Sequence, residues 1–170
     1  MRIAQIKKED TELTLDCGEN DINNLIQSAY LATVQKQGLA FNAFIEDELV
    51  AQIMLTMTII QDPGRESIPN CDFPSIKIEY IAVASDWQRQ GIGTHLMKAM
   101  VDHIRNQSSK LPIRFVFLES VQNKVGWYSK IGFSELGKDL KIRHKDDYTI
   151  PMCIDFIDEE AVEEYLEEIC

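Results

Sequence analysis

The sequence predicts one α+β domain, equally a mixed α/β one, built on a mixed and mostly antiparallel sheet. Three observations carry this prediction. Residues 76–93 run as an apolar strand into a glycine turn, and beyond Gly93 the apolar residues switch to helical spacing at Leu96/Met97, Met100/Val101 and Ile104. A second strand pattern at 113–119 follows that helix, so one crossover helix separates two strands. Residues 39–46 and 49–60 are apolar runs parted by Asp47 and Glu48, the pattern of a β-hairpin. There is no internal repeat, low-complexity linker or second core pattern, and 170 residues suffice to bury roughly two thirds of the unfolded surface in one core.

Taken in order, Ile3 to Ile6 alternates as a first strand, and 7–11 is polar. Asn20 or Asp21 is placed to cap a helix whose apolar residues Ile22, Leu25/Ile26, Ala29/Tyr30 and Val34 recur every three or four positions, with Gly38 as its stop. The hairpin follows. Residues 61–75 contain three of the five prolines and read as a long irregular connection, in which Arg65 is either a solvated loop residue or an anion contact. The central strand, turn and helix come next, the helix ending near Ser108 and Ser109. After the strand at 113–119, residues 123–131 form a short helix closed by Gly132 and Phe133, and a last strand over 148–156 precedes an acidic helix. On alternation alone, Glu79 shares a strand face with Ile81 and Val83.

The net charge of −11 is unevenly placed. Eight carboxylates and no basic residue lie between 155 and 170, which leaves the remainder of the chain at −3. Such a protein repels nucleic acid at long range and attracts cationic partners. No run approaches the roughly 20 apolar residues of a membrane span, and the first eight residues lack the apolar stretch of a signal peptide, so a cytoplasmic protein without membrane association is the expectation. Cys17, Cys71, Cys153 and Cys170 are dispersed without a C-x-x-C pair or a nearby histidine pair, which predicts free thiols and no metal site.

A helix N-terminus presents unpaired N–H groups and the positive end of the helix dipole, so the glycine entry at 88–94 is an anion site. Two general phosphate motifs fail here. Gly93 is followed by Thr94 and His95 rather than by Lys and Ser/Thr, and Leu96 stands where a dinucleotide turn needs a third small residue. What remains is Gln-x-x-Gly-x-Gly at Gln88, Gly91 and Gly93, followed 30 residues after Gly93 by Asn123, four residues, and Tyr128-Ser129-Lys130-Ile131-Gly132-Phe133. Together these resemble the acyl-CoA pyrophosphate loop and the Asn-containing helix of the GNAT N-acetyltransferase superfamily. The resemblance is close over residues 76–133 and elsewhere follows the order of elements.

The resemblance implies an acetyl-CoA-dependent N-acetyltransferase domain over residues 1–157, with 158–170 as an acidic C-terminal helix packed on or extending from it. Acetyl-CoA, the acyl donor, would lie between two splayed parallel strands, 77–84 and 113–119. The strand residues Ile81, Ala82 and Val83 would pair with its pantetheine arm. Gln88, Arg89, Gln90, Gly91, Ile92, Gly93 and Thr94 would hold its pyrophosphate, and Asn123 would bond the pantetheine or the linker beyond it. Transfer to an amine needs a neutral nucleophile and a proton for the departing thiolate. The match assigns the proton donor to Tyr128, with Trp127 as core or pocket wall. Glu79 is the leading candidate for the base, with Glu119 and Glu46 as alternatives; His95, His103 and His144 read as exposed or packed.

The expected acceptor is a primary amine on a small cationic molecule or a protein. Residues 15–25, with Gln35 and Gly38, are also similar to the opening of a GNAT branch that includes toxins acetylating aminoacyl-tRNA, which makes tRNA the alternative acceptor. Against it, phosphate contacts dominate nucleic-acid affinity, and Lys138, Lys141, Arg143 and Lys145 are interleaved with Asp139, Asp146 and Asp147. A non-catalytic acetyl-CoA-binding module is a third class. In the tail, Ala161/Val162, Tyr165/Leu166 and Ile169 form one helical stripe. That stripe serves either packing on the domain or docking to a basic partner, as an RNA-like acidic mimic or as a homodimer contact.

Overall fold

A computed structural model of the chain describes residues 1–62, 71–142, 148–157 and 160. The expectations for Arg65, Arg143, His144, Lys145 and the acidic tail helix therefore lie outside the described residues. Among the described residues one sheet of eight strands runs in the order β1 (Arg2–Gln5), β2 (Leu39–Ile45), β3 (Glu48–Asp62), β4 (Cys71–Val83), β5 (Phe115–Ser120), β8 (Ile150–Asp155) and β6 (Ser134–Glu135). The short β7 (Lys141–Ile142) pairs with the far end of β3. Only β4 and β5 are parallel, as expected of strands joined by a crossover helix.

Among the described residues the sheet is flanked by α1 (Asn20–Val34), α2 (Ile92–Ser108) and α3 (Val125–Ser129). Each sheet face has its own core. Ala51, Ile53, Leu55, Ile78, Val116 and Leu118 pack with Leu96, Met97, Met100, Val101 and Ile104 of α2. Ala40, Met54, Tyr80 and Ala82 pack with Ala29 of α1 and with Leu15 on the other face. Leu96 and Met97 are fully buried, each contributing about 1.5–3 kcal/mol of apolar burial. No helix among the described residues is long and apolar enough to cross a membrane.

Local details depart from the sequence expectation. The α1 N-cap position falls on Glu19 and carries no side-chain cap. Instead, Asn23 reaches back from the first turn, its Oδ1 accepting the Cys17 N–H at 3.0 Å and its Nδ2 donating to Asp16 Oδ1 at 2.7 Å. The left-handed residue after α1 is Lys36 rather than Gly38. Gly38 serves close approach, since a Cβ there would lie 2.7 Å from both the Leu55 carbonyl oxygen and Met54 Cε. The connection expected over 61–75 is shorter, because β3 runs to Asp62 and β4 starts at Cys71, with Asp62 paired to Cys71. Cys17, Cys71 and Cys153 are free thiols, and burial pushes the Cys153 thiol up to about 11.

Candidate active site

The centre of the site is a strand that has lost one neighbour. β4 pairs with β3 along its whole length but with β5 only at Ser75, Ile76 and Lys77, opposite Phe115, Val116 and Phe117. From Ile78 onward the two parallel strands part. The Ala84 N–H donates to the Val50 carbonyl at 2.9 Å, and in an antiparallel ladder alternate residues face the partner strand. Ala82 and Tyr80 therefore spend their backbone groups on β3, whereas Ile81 and Val83 turn theirs toward the gap. The Val83 carbonyl does face away from β3, since it accepts Gln88 Nε2 at 3.0 Å.

A bulge accompanies this opening. Met54 pairs with Tyr80 and Leu55 with Ile78, which leaves Glu79 as the extra residue on β4. The alternation slips by one across it. Ile78 packs on the α2 face while Tyr80 and Ala82, two and four residues on, pack on the α1 face. Ile81 and Val83 rejoin the α2 core, and Glu79 does not share their face, contrary to uninterrupted alternation.

Gly91, at φ 84°, starts α2 in the left-handed conformation, with Arg89 also at positive φ. No side chain caps the helix, and no acidic residue occupies its first turn. Its first internal bond runs from the His95 N–H to the Gly91 carbonyl, so the N–H groups of Ile92, Gly93 and Thr94 have no intrahelical acceptor. Gly93 is walled by Val83 and Trp127, with an added Cβ 3.3 Å from Val83 Cγ2 and 3.7 Å from Trp127 Cζ2. These bare amides, the helix dipole and the open β4 edge fit a ligand carrying a pyrophosphate and an amide-bearing arm. The Gln88 side chain is committed to the protein, donating to the carbonyls of Val83 and of Cys17, the latter at 2.9 Å. It fastens the turn to the segment before α1. Gln90 likewise donates to the Asp86 carbonyl, and Arg89 is exposed.

β5 leads through a 3-10 turn, Gln122–Lys124, into α3. Asn123 lies exposed in that turn. Trp127 Nε1 donates to Thr94 Oγ1 at 3.0 Å, joining α3 to the first turn of α2 and leaving the Thr94 hydroxyl proton for another acceptor. Tyr128 stacks edge-on against Trp127 and Phe133 and packs on the α2-side core. Burial raises its pKa, so the phenol keeps its proton through neutral pH.

On the opposite face, where the strands part, three charges meet. Lys77 Nζ lies 3.1 Å from Glu79 Oε2 and 3.1 Å from Glu119 Oε2. Thr56 donates to Glu79 Oε1 at 2.7 Å, and Thr149 donates to Glu119 Oε1 at 3.3 Å. Burial opposes the Lys77 ammonium, but the hydrogen bonds and charges of Glu119 and Glu79 outweigh it and raise its pKa above the ordinary lysine value. Tyr128 and the carboxylates thus belong to opposite faces of the sheet.

Of the other candidates, Glu46 sits in the two-residue hairpin turn with Asp47, both at positive φ. His95 and His103 are exposed on α2, His103 tilted against Phe41. Among the described residues no cluster of His, Cys, Asp or Glu could hold a metal ion. Sequence reasoning missed Lys77, Thr56 and Thr149 as parts of the site. The available signal was weak: a Lys-x-Glu on the strand that opens.

Comparison with known proteins gives a consistent result. A family model described as an acetyltransferase (GNAT) domain matches residues 30–152. No curated protein matches the sequence. Among solved structures, the AtaTR complex bound with AcCoA is similar at 18% identity and TM-score 0.73, covering 97% of each chain. A tyrosine-to-phenylalanine mutant of KacT is similar at 16% identity and TM-score 0.72, covering 96% of this chain and 98% of that one. AtaT complexed with acetyl-methionyl-tRNAfMet is similar at 17% identity and TM-score 0.71, covering 97% and 98%. At these identities the likeness is one of fold, extending over nearly the whole chain.

Proposed function

The chain belongs to the GNAT acetyltransferase family, and on that premise we propose that it moves the acetyl group of acetyl-CoA directly to a primary amine of a small cationic molecule or a protein. The observation that carries this reading is the one-sided opening of β4, with the bare amides of α2 beyond its far end, Tyr128 beside them through Trp127, and the carboxylates where β4 and β5 part. Acetyl-CoA supplies the acyl group as a thioester: the amine nitrogen replaces sulfur on the acetyl carbon, and CoA leaves as the thiol.

In this reading the N–H groups of Ile92, Gly93 and Thr94 hold the pyrophosphate, and the backbone of Ile81 and Val83 pairs with the pantetheine arm. Gln88 and Gln90 shape the turn from within, Arg89 adds charge beside the phosphates, Ala82 backs the strand through β3, and Asn123 bonds the arm from the 3-10 turn. Tyr128 holds the proton given to the leaving sulfur. Glu79 takes the proton that makes an acceptor ammonium nucleophilic, and a second proton, released as the C–N bond forms, replaces the one Tyr128 gives up. Among the described residues, Glu79 and Glu119 put carboxylates at the opening, which suits a cationic acceptor.

A second reading, transfer to the α-amino group of an aminoacyl-tRNA, is favoured by the similar AtaT structure with acetyl-methionyl-tRNAfMet and by the segment before α1, where Asp16 and Cys17 clasp the turn through Ser85 and Gln88. The net charge of −11 weighs against it. Incubation of the full chain with acetyl-CoA and a panel of polyamines, lysine peptides and aminoacyl-tRNAs, read by mass spectrometry, decides. Acetylated polyamine or peptide supports the first reading. Acetylation confined to aminoacyl-tRNA replaces it with the second, and acetyl-CoA binding without any product removes both.

A further inference from the structure

We propose that Lys77 is a positioning residue for the transfer, its ammonium keeping Glu79 and Glu119 both ionised and fixed across the opening between β4 and β5. The proposal rests on the reading of Glu79 as the base. Its geometry follows from the register: Lys77 and Phe117 are the last parallel pair, and each carboxylate lies two residues beyond it on the same face. Two carboxylates at matching positions on neighbouring strands repel, and one then takes up a proton. Lys77 sits between them at 3.1 Å from each, while Thr56 of β3 and Thr149 before β8 fix their far oxygens.

Glu119 and Lys77 are sheltered, exposing 13% and 24% of their side-chain surface, whereas Glu79 reaches solvent, so the Lys77–Glu119 contact is screened less than a surface pair and the Lys77–Glu79 contact more. The charged groups facing Glu79 among the described residues are Lys77 from its own strand and Glu119 from β5 through that same ammonium; β3 contributes the neutral Thr56. A base held in its protonated form cannot accept the acceptor's proton. Lys77 addresses this condition without itself touching the acetyl group.

The experiment compares the wild-type chain with Lys77→Met, Lys77→Gln and Lys77→Arg. The side-chain carboxyl carbons of Glu79 and Glu119 are followed by NMR against pH, assigned through Glu79→Gln and Glu119→Gln. In Lys77→Met and Lys77→Gln one of the two carboxyls titrates about 1 to 3 pH units higher than in the wild type, and Lys77→Arg restores the wild-type curve. The acidic limb of kcat/KM moves upward with it. Unchanged titration in both uncharged variants, or an arginine that fails to restore it, overturns the proposal, and the glutamine variant decides should the methionine variant not fold. A wild-type chain that acetylates no amine refutes the function reading separately, because the carboxyl titration needs no turnover.

Discussion

The two ends of the gap between β4 and β5 are built from different materials. The end proposed to hold the anion is backbone: amides of α2, a left-handed glycine at 91 and the N–H groups that β4 no longer shares with a neighbour. The groups proposed to react are side chains: Tyr128 on one face of the sheet, and Glu79 and Glu119 with Lys77 on the other. Backbone sites are specified by a few adjacent residues and tolerate most side chains nearby. Side-chain sites depend on register and on partners 40 residues away, so single substitutions there act on chemistry rather than on affinity.

Substitutions can separate the two ends. Tyr128→Phe, the largest expected effect, lowers kcat by about 10²–10⁴-fold while acetyl-CoA affinity, measured by calorimetry, stays within error. The wild-type rate should fall at alkaline pH only above the ordinary tyrosine value of 10.0, because a raised pKa keeps the phenol protonated until pH passes its folded-state value. That limb disappears in the phenylalanine variant, and an equal loss of affinity would mean that the ends are not independent.

Gly93→Val tests the converse. Its bulk enters a space bounded by Val83 Cγ2 at 3.3 Å and Trp127, over the amides of the first turn. Acetyl-CoA affinity should weaken by roughly 2- to 30-fold, the range of a lost anion–helix interaction, with kcat at saturation little changed. A collapse of kcat at unchanged affinity would contradict the backbone account of this end.

Gln88→Ala is the mildest of the three. It removes two donated hydrogen bonds at an exposed site, about 1 kcal/mol of stability and a thermal midpoint lowered by about 2–4 °C. Affinity for acetyl-CoA should fall less than in Gly93→Val, since the glutamine shapes the turn from inside. A larger loss than in Gly93→Val would show the side chain itself meeting the ligand.

This contrast explains what could be read in advance. Apolar periodicity located α2, α1, the hairpin and the two strands that part, and the glycine spacing located the turn that starts α2. Asn23 was hidden as the residue that closes the start of α1, because a reach back to Asp16 and Cys17 follows from the path of the segment and not from a cap pattern. Gly38 read as a helix stop, whereas its absent side chain admits the Leu55 carbonyl of β3. The strands β6 and β7, two residues each, have too few residues for any period to register.

By itself the sequence determined the longer elements, their order and the glycine turn that starts α2, because strand period, helix period and the conformational freedom of Gly91 are properties of neighbouring residues. Tertiary structure alone decided that Ile81 and Val83 leave the face on which Glu79 meets Lys77. One extra residue against Met54 and Leu55 shifts every later side chain of β4 to the other face, and no local pattern in 76–83 records that insertion. The same register then brings Lys77, Glu79 and Glu119 together across two strands. The meeting with Glu119 is a matter of pairing between distant segments.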